Sequence, residues 1–210
     1  MTRYSKLAGA ALSVAVAVAA SMWAVAAGTG AQLDKWSVDA QSAAPRQTQS
    51  AIKTELAAAR DATAKYVNNL ALAKKDGYQI ITPMIPTMGY HFMNPSVKGF
   101  DVTKPPILVY EHNGKKWQLG AIEWVFPKKP ATQPLPGATY GAFGAACHYA
   151  DGTFVPAATQ DACPAKAPGT GAKFGFWHPN LVTMHVWLWY PNPSGLFAST
   201  NPLVTPFDRG

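Results

Sequence analysis

Three residues of this chain, His91, Glu123 and His185, have side chains that bind metals and sit in segments able to bring them together. Glu123 interrupts an apolar run, Ala121-Ile122-Glu123-Trp124-Val125. A carboxylate placed there is costly to bury unless it is paired, hydrogen-bonded, protonated or bound to a cation. His185 stands in a similar run, Met184-His185-Val186-Trp187, and His91 follows Gly89 in a segment framed by glycine and proline. Two imidazoles and one carboxylate suit tetrahedral zinc with one open position, iron(II) with open octahedral positions, or copper. The spacing 91, 123, 185 matches no compact metal motif, and HExxH and CxxC are absent, so only the fold can assemble such a site. The competing reading is a carboxylate at a wet sheet edge and histidines bonded to backbone carbonyls.

Around this set, His178 is expected as a fourth ligand or a general base at the site mouth, and Tyr90 and Glu111 as hydrogen-bond partners of the ligands. His148, beside Cys147, and His112, at a turn, are expected to face solvent. Trp124, Trp187 and Trp189 suggest a different function. On an open face they would stack against a cell-envelope glycan or a small apolar ligand, and buried they would simply be core. A structural or interaction role without a small-molecule site is the third alternative. There is no GxSxG elbow and no glycine-rich phosphate fingerprint, and Ser194 in Asn192-Pro193-Ser194-Gly195 reads as a turn.

The elements that must position these groups follow from the periodicity. Ile52, Leu56, Ala59, Thr63, Tyr66 and Leu70 recur at intervals of four and three, which predicts one helix over 50–75, with Lys74, Lys75 and Gly77 as its end signals. Tyr78–Ile81 reads as a short strand broken by Pro83. Ile107–Glu111 and Trp117–Phe126 flank Asn113-Gly114, a hairpin signal. Strict alternation along the return strand puts Trp117, Leu119, Ala121, Glu123 and Val125 on one face. Leu181–Tyr190 reads as a further strand with Thr183, His185, Trp187 and Trp189 on one side. Residues 127–180 read as long loops, and the tail from Pro191 as coil. The expected fold is α+β: one long N-terminal helix packed on a small, mainly antiparallel β-sheet with long loops.

The chain has 210 residues, 14% charged and 11% aromatic, with 18 prolines and 17 glycines, a composition that excludes disorder and an all-helical bundle. Its net charge of +7 is spread over single and paired lysines without a basic block, which argues against nucleic acid as a partner. Arg3 and Lys6 precede an uncharged Ala/Val-rich run from Leu7 to Ala27 that ends near Ala24-Val25-Ala26. This predicts a signal peptide over 1–27, a polar leader over 28–49 and a single domain over 50–210, exported to the periplasm or the medium. The alternative is a membrane anchor formed by residues 7–27, the one membrane contact the sequence suggests. Cys147 and Cys163 are then expected to form a disulfide. Oligomeric state has no signature in the sequence.

Several segments together resemble a family of uncharacterised exported bacterial proteins. They are Lys75-Asp76-Gly77-Tyr78, Gly89-Tyr90-His91-Phe92-Met93-Asn94-Pro95, Lys104 through Glu111, Ala121-Ile122-Glu123-Trp124, and His185 through Phe197 with Asn201-Pro202. The resemblance spans about residues 55–203, leaves out the segment around Cys147 and Cys163, and implies family membership without implying an activity.

Overall fold

The computed structural model describes residues 36–114 and 116–204, with side chains from Thr48 onward apart from that of Asn113. The export segment read over 1–27 lies outside the described residues, as does the leader up to Lys35. Helix α1 (Trp36–Thr63) begins within the segment read as a leader rather than at Ser50, and it precedes every strand. The single helix expected over 50–75 is in fact broken. After α1 come a 3-10 turn (Ala64–Tyr66) and a separate helix, α2 (Leu70–Lys75), whose N-cap Asn69 accepts a bond from the Leu72 amide at 3.0 Å. The apolar stripe survives the break. Ala59, Thr63, Tyr66 and Leu70 are buried, and Ile52 and Leu56 are half-buried against the same cluster. No helix among the described residues is long and apolar enough to cross a membrane.

The architecture is mixed helix and sheet, with the strands pairing antiparallel. Strands β1 (Gln79–Ile80), β2 (Tyr90–Met93), β3 (Ile107–Asn113), β4 (Lys116–Phe126), β5 (Gly141–Phe143) and β9 (Leu181–Val186) form one six-stranded sheet in the order β1-β2-β3-β4-β9-β5. A second sheet, absent from the sequence reading, is built inside the supposed loop region from β6 (Ala146–Tyr149), β7 (Phe154–Pro156) and β8 (Phe174–His178), ordered β7-β6-β8. Its strands have three to five residues and are separated by Gly and Pro, too short for an alternation to show.

One face of the large sheet, carrying Phe92, Leu108, Tyr110, Ile122, Trp124 and Met184, packs in one cluster with Ala59, Tyr66, Leu70 and Ala73 of the helical segment. The connection is also polar: the Tyr110 hydroxyl donates to the Tyr66 carbonyl at 2.8 Å, and the Leu119 amide to the Val67 carbonyl at 2.8 Å. The other face carries Ile107, Val109, Ala121 and Trp187, and it is the face from which the candidate ligands project.

Strict alternation fails at one place on β4. Val109 pairs with Ala121 while the next residue, Tyr110, pairs with Leu119, so Gly120 is an extra, unpaired residue. The bulge turns Leu119 and Trp117 to the helix side with Ile122 and Trp124, away from the side of Glu123 expected for them. The Gly120 carbonyl accepts from both Trp189 and Tyr190, at 3.0 and 3.2 Å. The same irregularity ends the alternation of the last strand, so Trp189 packs on the helix side and Tyr190 on the other.

Cys147 and Cys163 form a disulfide, 16 residues apart in sequence. It ties β6, in the middle of the small sheet, to the turn after residue 160. Closing a loop of this length removes denatured-chain entropy worth about 3 kcal/mol. Cys147→Ser with Cys163→Ser is therefore expected to lose about that much stability in a denaturant titration, and an unchanged midpoint would show the small sheet to be held by packing alone.

Candidate metal centre

Strand register explains how residues so far apart in sequence meet. Glu123 on β4 lies directly opposite His185 on β9. On the other side of β4, Glu123 pairs with Ile107 and Ala121 pairs with Val109, while His91 on β2 pairs with that same Val109. His91 is thus two strands and two residues from Glu123, on the same face, and reaches it across β3. Close approach of β2 to β3 depends on Gly89, at φ +111°, where a Cβ would stand 2.5 Å from the Tyr110 carbonyl oxygen.

The outcome is a compact buried cluster. One ligand atom from each of His91, Glu123 and His185 lies within 4.8 Å of the other two. His91 Nε2 is 3.5 Å from Glu123 Oε2, and His185 Nε2 is 3.6 Å from Glu123 Oε1. These separations exceed a good hydrogen bond, and they run to the two different oxygens of the carboxylate, which leaves space for a cation among the three side chains. Relative exposures of 4%, 4% and 1% put all three groups out of water.

Burial governs their charge. It pushes the Glu123 carboxyl up to about 8. It also pulls His185 down to about 4, and His91 down to about 3 with the nearby His185 adding to the fall. Near neutral pH all three are therefore uncharged when no cation is present, and the two close N···O approaches are not ion pairs. Both ring nitrogens of His185 lack a hydrogen-bond partner. A buried imidazole that satisfies neither nitrogen is costly, and a cation at Nε2 would relieve one of the two. The donor set therefore fits a metal ion. His91 is better supported: its Nδ1 lies 2.9 Å from Thr82 Oγ1, which also accepts the His91 backbone amide at 3.1 Å. With Nδ1–H donating to Thr82, the Nε2 lone pair faces Glu123, the tautomer that a metal ligand needs.

His91 and Glu123 stand in the wall of a cavity of about 470 Å³, while His185 lies outside its lining. Ile81, Ile85, Met88, Met93, Phe143 and Leu181 are among its apolar walls, while Thr82, His91, Glu123, His148, His178 and Thr183 supply the polar groups.

Of the residues anticipated around the ligands, His178 does line this cavity. Tyr90 does not: it stacks edge-on against Trp117 in the helix-side core, the opposite face of β2 from His91. Glu111 is buried on β3 but lies outside the cavity lining, and its Oε2 has no hydrogen-bond partner. The tryptophan surface for a glycan is not formed. Trp124 and Trp187 are 0% and 4% exposed, and Trp189 is half-buried with its Nε1–H donating to Thr63 at 2.9 Å. His148, expected in solvent, is 1% exposed and lines the same cavity, because β6 folds back over the large sheet; His112 is only half-buried and tilts against Trp117. Thr82 gave no sequence signal beyond its place between Ile81 and Pro83.

The support for His91 is testable. Thr82→Val keeps the side chain's shape and removes the acceptor. It is expected to weaken metal binding about 10- to 100-fold while the protein still folds, measured by competition with a chromogenic chelator.

Fold and site together define a mixed helix-and-sheet protein with a buried two-histidine, one-glutamate cluster opening on an apolar cavity. A scan against protein-family models, a search of curated proteins and a search of solved structures each found no match.

Proposed function

We propose that this is an exported metalloprotein that holds one divalent ion, zinc foremost, through His91, Glu123 and His185, and acts as a metal-dependent enzyme on a small, largely apolar molecule. The observation that carries the reading is the convergence of one buried donor atom from each of the three residues to within 4.8 Å of the others. Three protein donors leave a fourth position, and the adjoining cavity gives a substrate room to reach it. A divalent ion there would act as a Lewis acid on a bound water or carbonyl. The chain's own residues would fix the ion's place and exclude bulk water, and the apolar walls would hold the substrate body with its one polar group toward Glu123.

Export is supported by the basic start and apolar run of the first 27 residues, and by the disulfide, which suits an oxidising compartment. The glycan-binding alternative is disfavoured by the burial of Trp124 and Trp187. The deciding experiment is elemental analysis of the purified full chain beside Glu123→Gln and His185→Ala. Zinc in the wild type that both variants lose supports the reading, and a native protein that neither carries nor takes up zinc rejects it.

A further inference from the structure

A second histidine cluster lies in the same cavity and has no role in the centre described above. His148 on β6 is paired with Phe176 on β8, and His178 with Ala146, so the two imidazoles are diagonal neighbours on one face of the small sheet. Their Nε2 atoms face each other at 3.0 Å. Each Nδ1 is committed elsewhere: that of His148 lies 2.6 Å from the Ile81 carbonyl, and that of His178 2.6 Å from the Pro179 carbonyl. A carbonyl only accepts, so both Nδ1 atoms carry the hydrogen, and each neutral imidazole is left with an Nε2 lone pair and no hydrogen to give the other.

Two lone pairs held 3.0 Å apart repel, and a positive species between them removes the repulsion. We propose that the His148–His178 pair is a second metal site of this protein, one that takes an ion favouring right-angle coordination, such as Cu(II) or Ni(II).

The geometry distinguishes the two centres. Two bonds of about 2.1 Å meeting at a right angle separate their donors by about 3.0 Å, whereas a tetrahedral ion spreads them to about 3.4 Å. The histidine pair matches the first, whereas His91 and His185 approach Glu123 only to 3.5 and 3.6 Å, each on a different oxygen of its carboxylate. Anchoring of both Nδ1–H groups on carbonyls is the support that orients metal-binding imidazoles elsewhere in proteins. The rings are also held in place by stacking: His148 on Phe176 at 4.6 Å between centroids and 7° between planes, and His178 on Phe143 at 5.2 Å and 26°. Exposures of 1% and 8% leave the remaining coordination positions to water or a ligand inside the cavity.

The test uses the full chain, stripped by dialysis against a chelator and titrated with Cu(II) under electron paramagnetic resonance. The wild type is expected to bind two equivalents. His185→Ala, which cripples the first centre, is expected still to bind one, with superhyperfine splitting from two nitrogens. Adding His148→Phe, which suits the stack on Phe176, is expected to weaken that equivalent by at least about 100-fold. His178→Gln serves the same purpose should the phenylalanine variant not fold, with thermal melts as the check. A His185→Ala protein that binds no Cu(II) overturns the proposal and leaves a shared proton in the gap. So does a double variant that binds as tightly as His185→Ala. Failure of the first centre reads differently: His185→Ala would then bind as many equivalents as the wild type.

Discussion

Glu123→Gln is expected to abolish zinc retention at this centre, with affinity for zinc falling by at least about 100-fold, the upper end of what losing even a supporting partner of a ligand costs. The substitution is nearly isosteric and removes the anionic donor. It should not unfold the protein, because burial already keeps the Glu123 carboxyl protonated near neutral pH without a cation, and glutamine mimics that neutral form. His185→Ala should lose zinc as completely, but it also leaves a hole at a side chain that is 1% exposed, so its melting temperature is expected to fall as well. The contrast is informative: metal loss common to both variants reports on coordination, and a stability loss confined to His185→Ala reports on packing. Inductively coupled plasma analysis with thermal melts measures both. Wild-type protein and Glu123→Gln with equal zinc content would remove the carboxylate from the ligand set.

What could be read in the sequence was whatever depends on long, regular periodicity or on a costly residue in an odd place. The stripe from Ile52 to Leu70 spans several turns, so it marked the face that becomes buried even though the α-helix itself is interrupted over residues 64–69. Asn113-Gly114 located the β3–β4 hairpin, and Glu123 and His185 stood out because each interrupts an apolar run. Their pairing across β4 and β9 was not readable, because register between strands about 60 residues apart is fixed by tertiary packing and not by local pattern. The Gly120 bulge was hidden for a related reason. A glycine within a strand is consistent with either continued pleating or an extra residue, and only the partner strand decides. His148 was misjudged because its neighbours, Cys147 and Tyr149, looked like part of an irregular loop. The small sheet that buries all three is made of pieces too short to show a period. Thr82 carries no signature at all, since its importance lies in the two hydrogen bonds it shares with the ring and the backbone amide of His91.

Zinc binding is expected to weaken as pH falls below 8, by about 50-fold between pH 8 and pH 6, with the proton released per ion rising from about half at pH 8 to about one at pH 6. Without metal the Glu123 carboxyl is held protonated up to about 8 by burial, whereas His185 and His91, pulled down to about 4 and about 3, have no proton to lose above pH 4. Glu123 alone therefore sets the slope, and in Glu123→Gln whatever residual binding survives should be flat over this range. Calorimetry in buffers of different ionisation enthalpy counts the proton directly. The same shifts act on folding, with opposite signs for the two kinds of group. The raised Glu123 contributes stability that is full below its unfolded value of 4.5 and is lost as pH rises through 8. The depressed histidines contribute stability that is full above 6.5 and is lost as pH falls through 4 and then 3. Their sum peaks near pH 6.5 in metal-free protein and declines by about 1.4 kcal/mol per pH unit between there and pH 8. A bound divalent ion takes the ionised carboxylate as its partner and cancels that decline. The stabilisation given by zinc should therefore grow from pH 6.5 to pH 8, and metal-free Glu123→Gln should be more stable than metal-free wild type at pH 8. Melting curves of the four species at the two pH values test this, and a zinc-induced shift that does not change with pH would mean that Glu123 does not give up a proton to the metal.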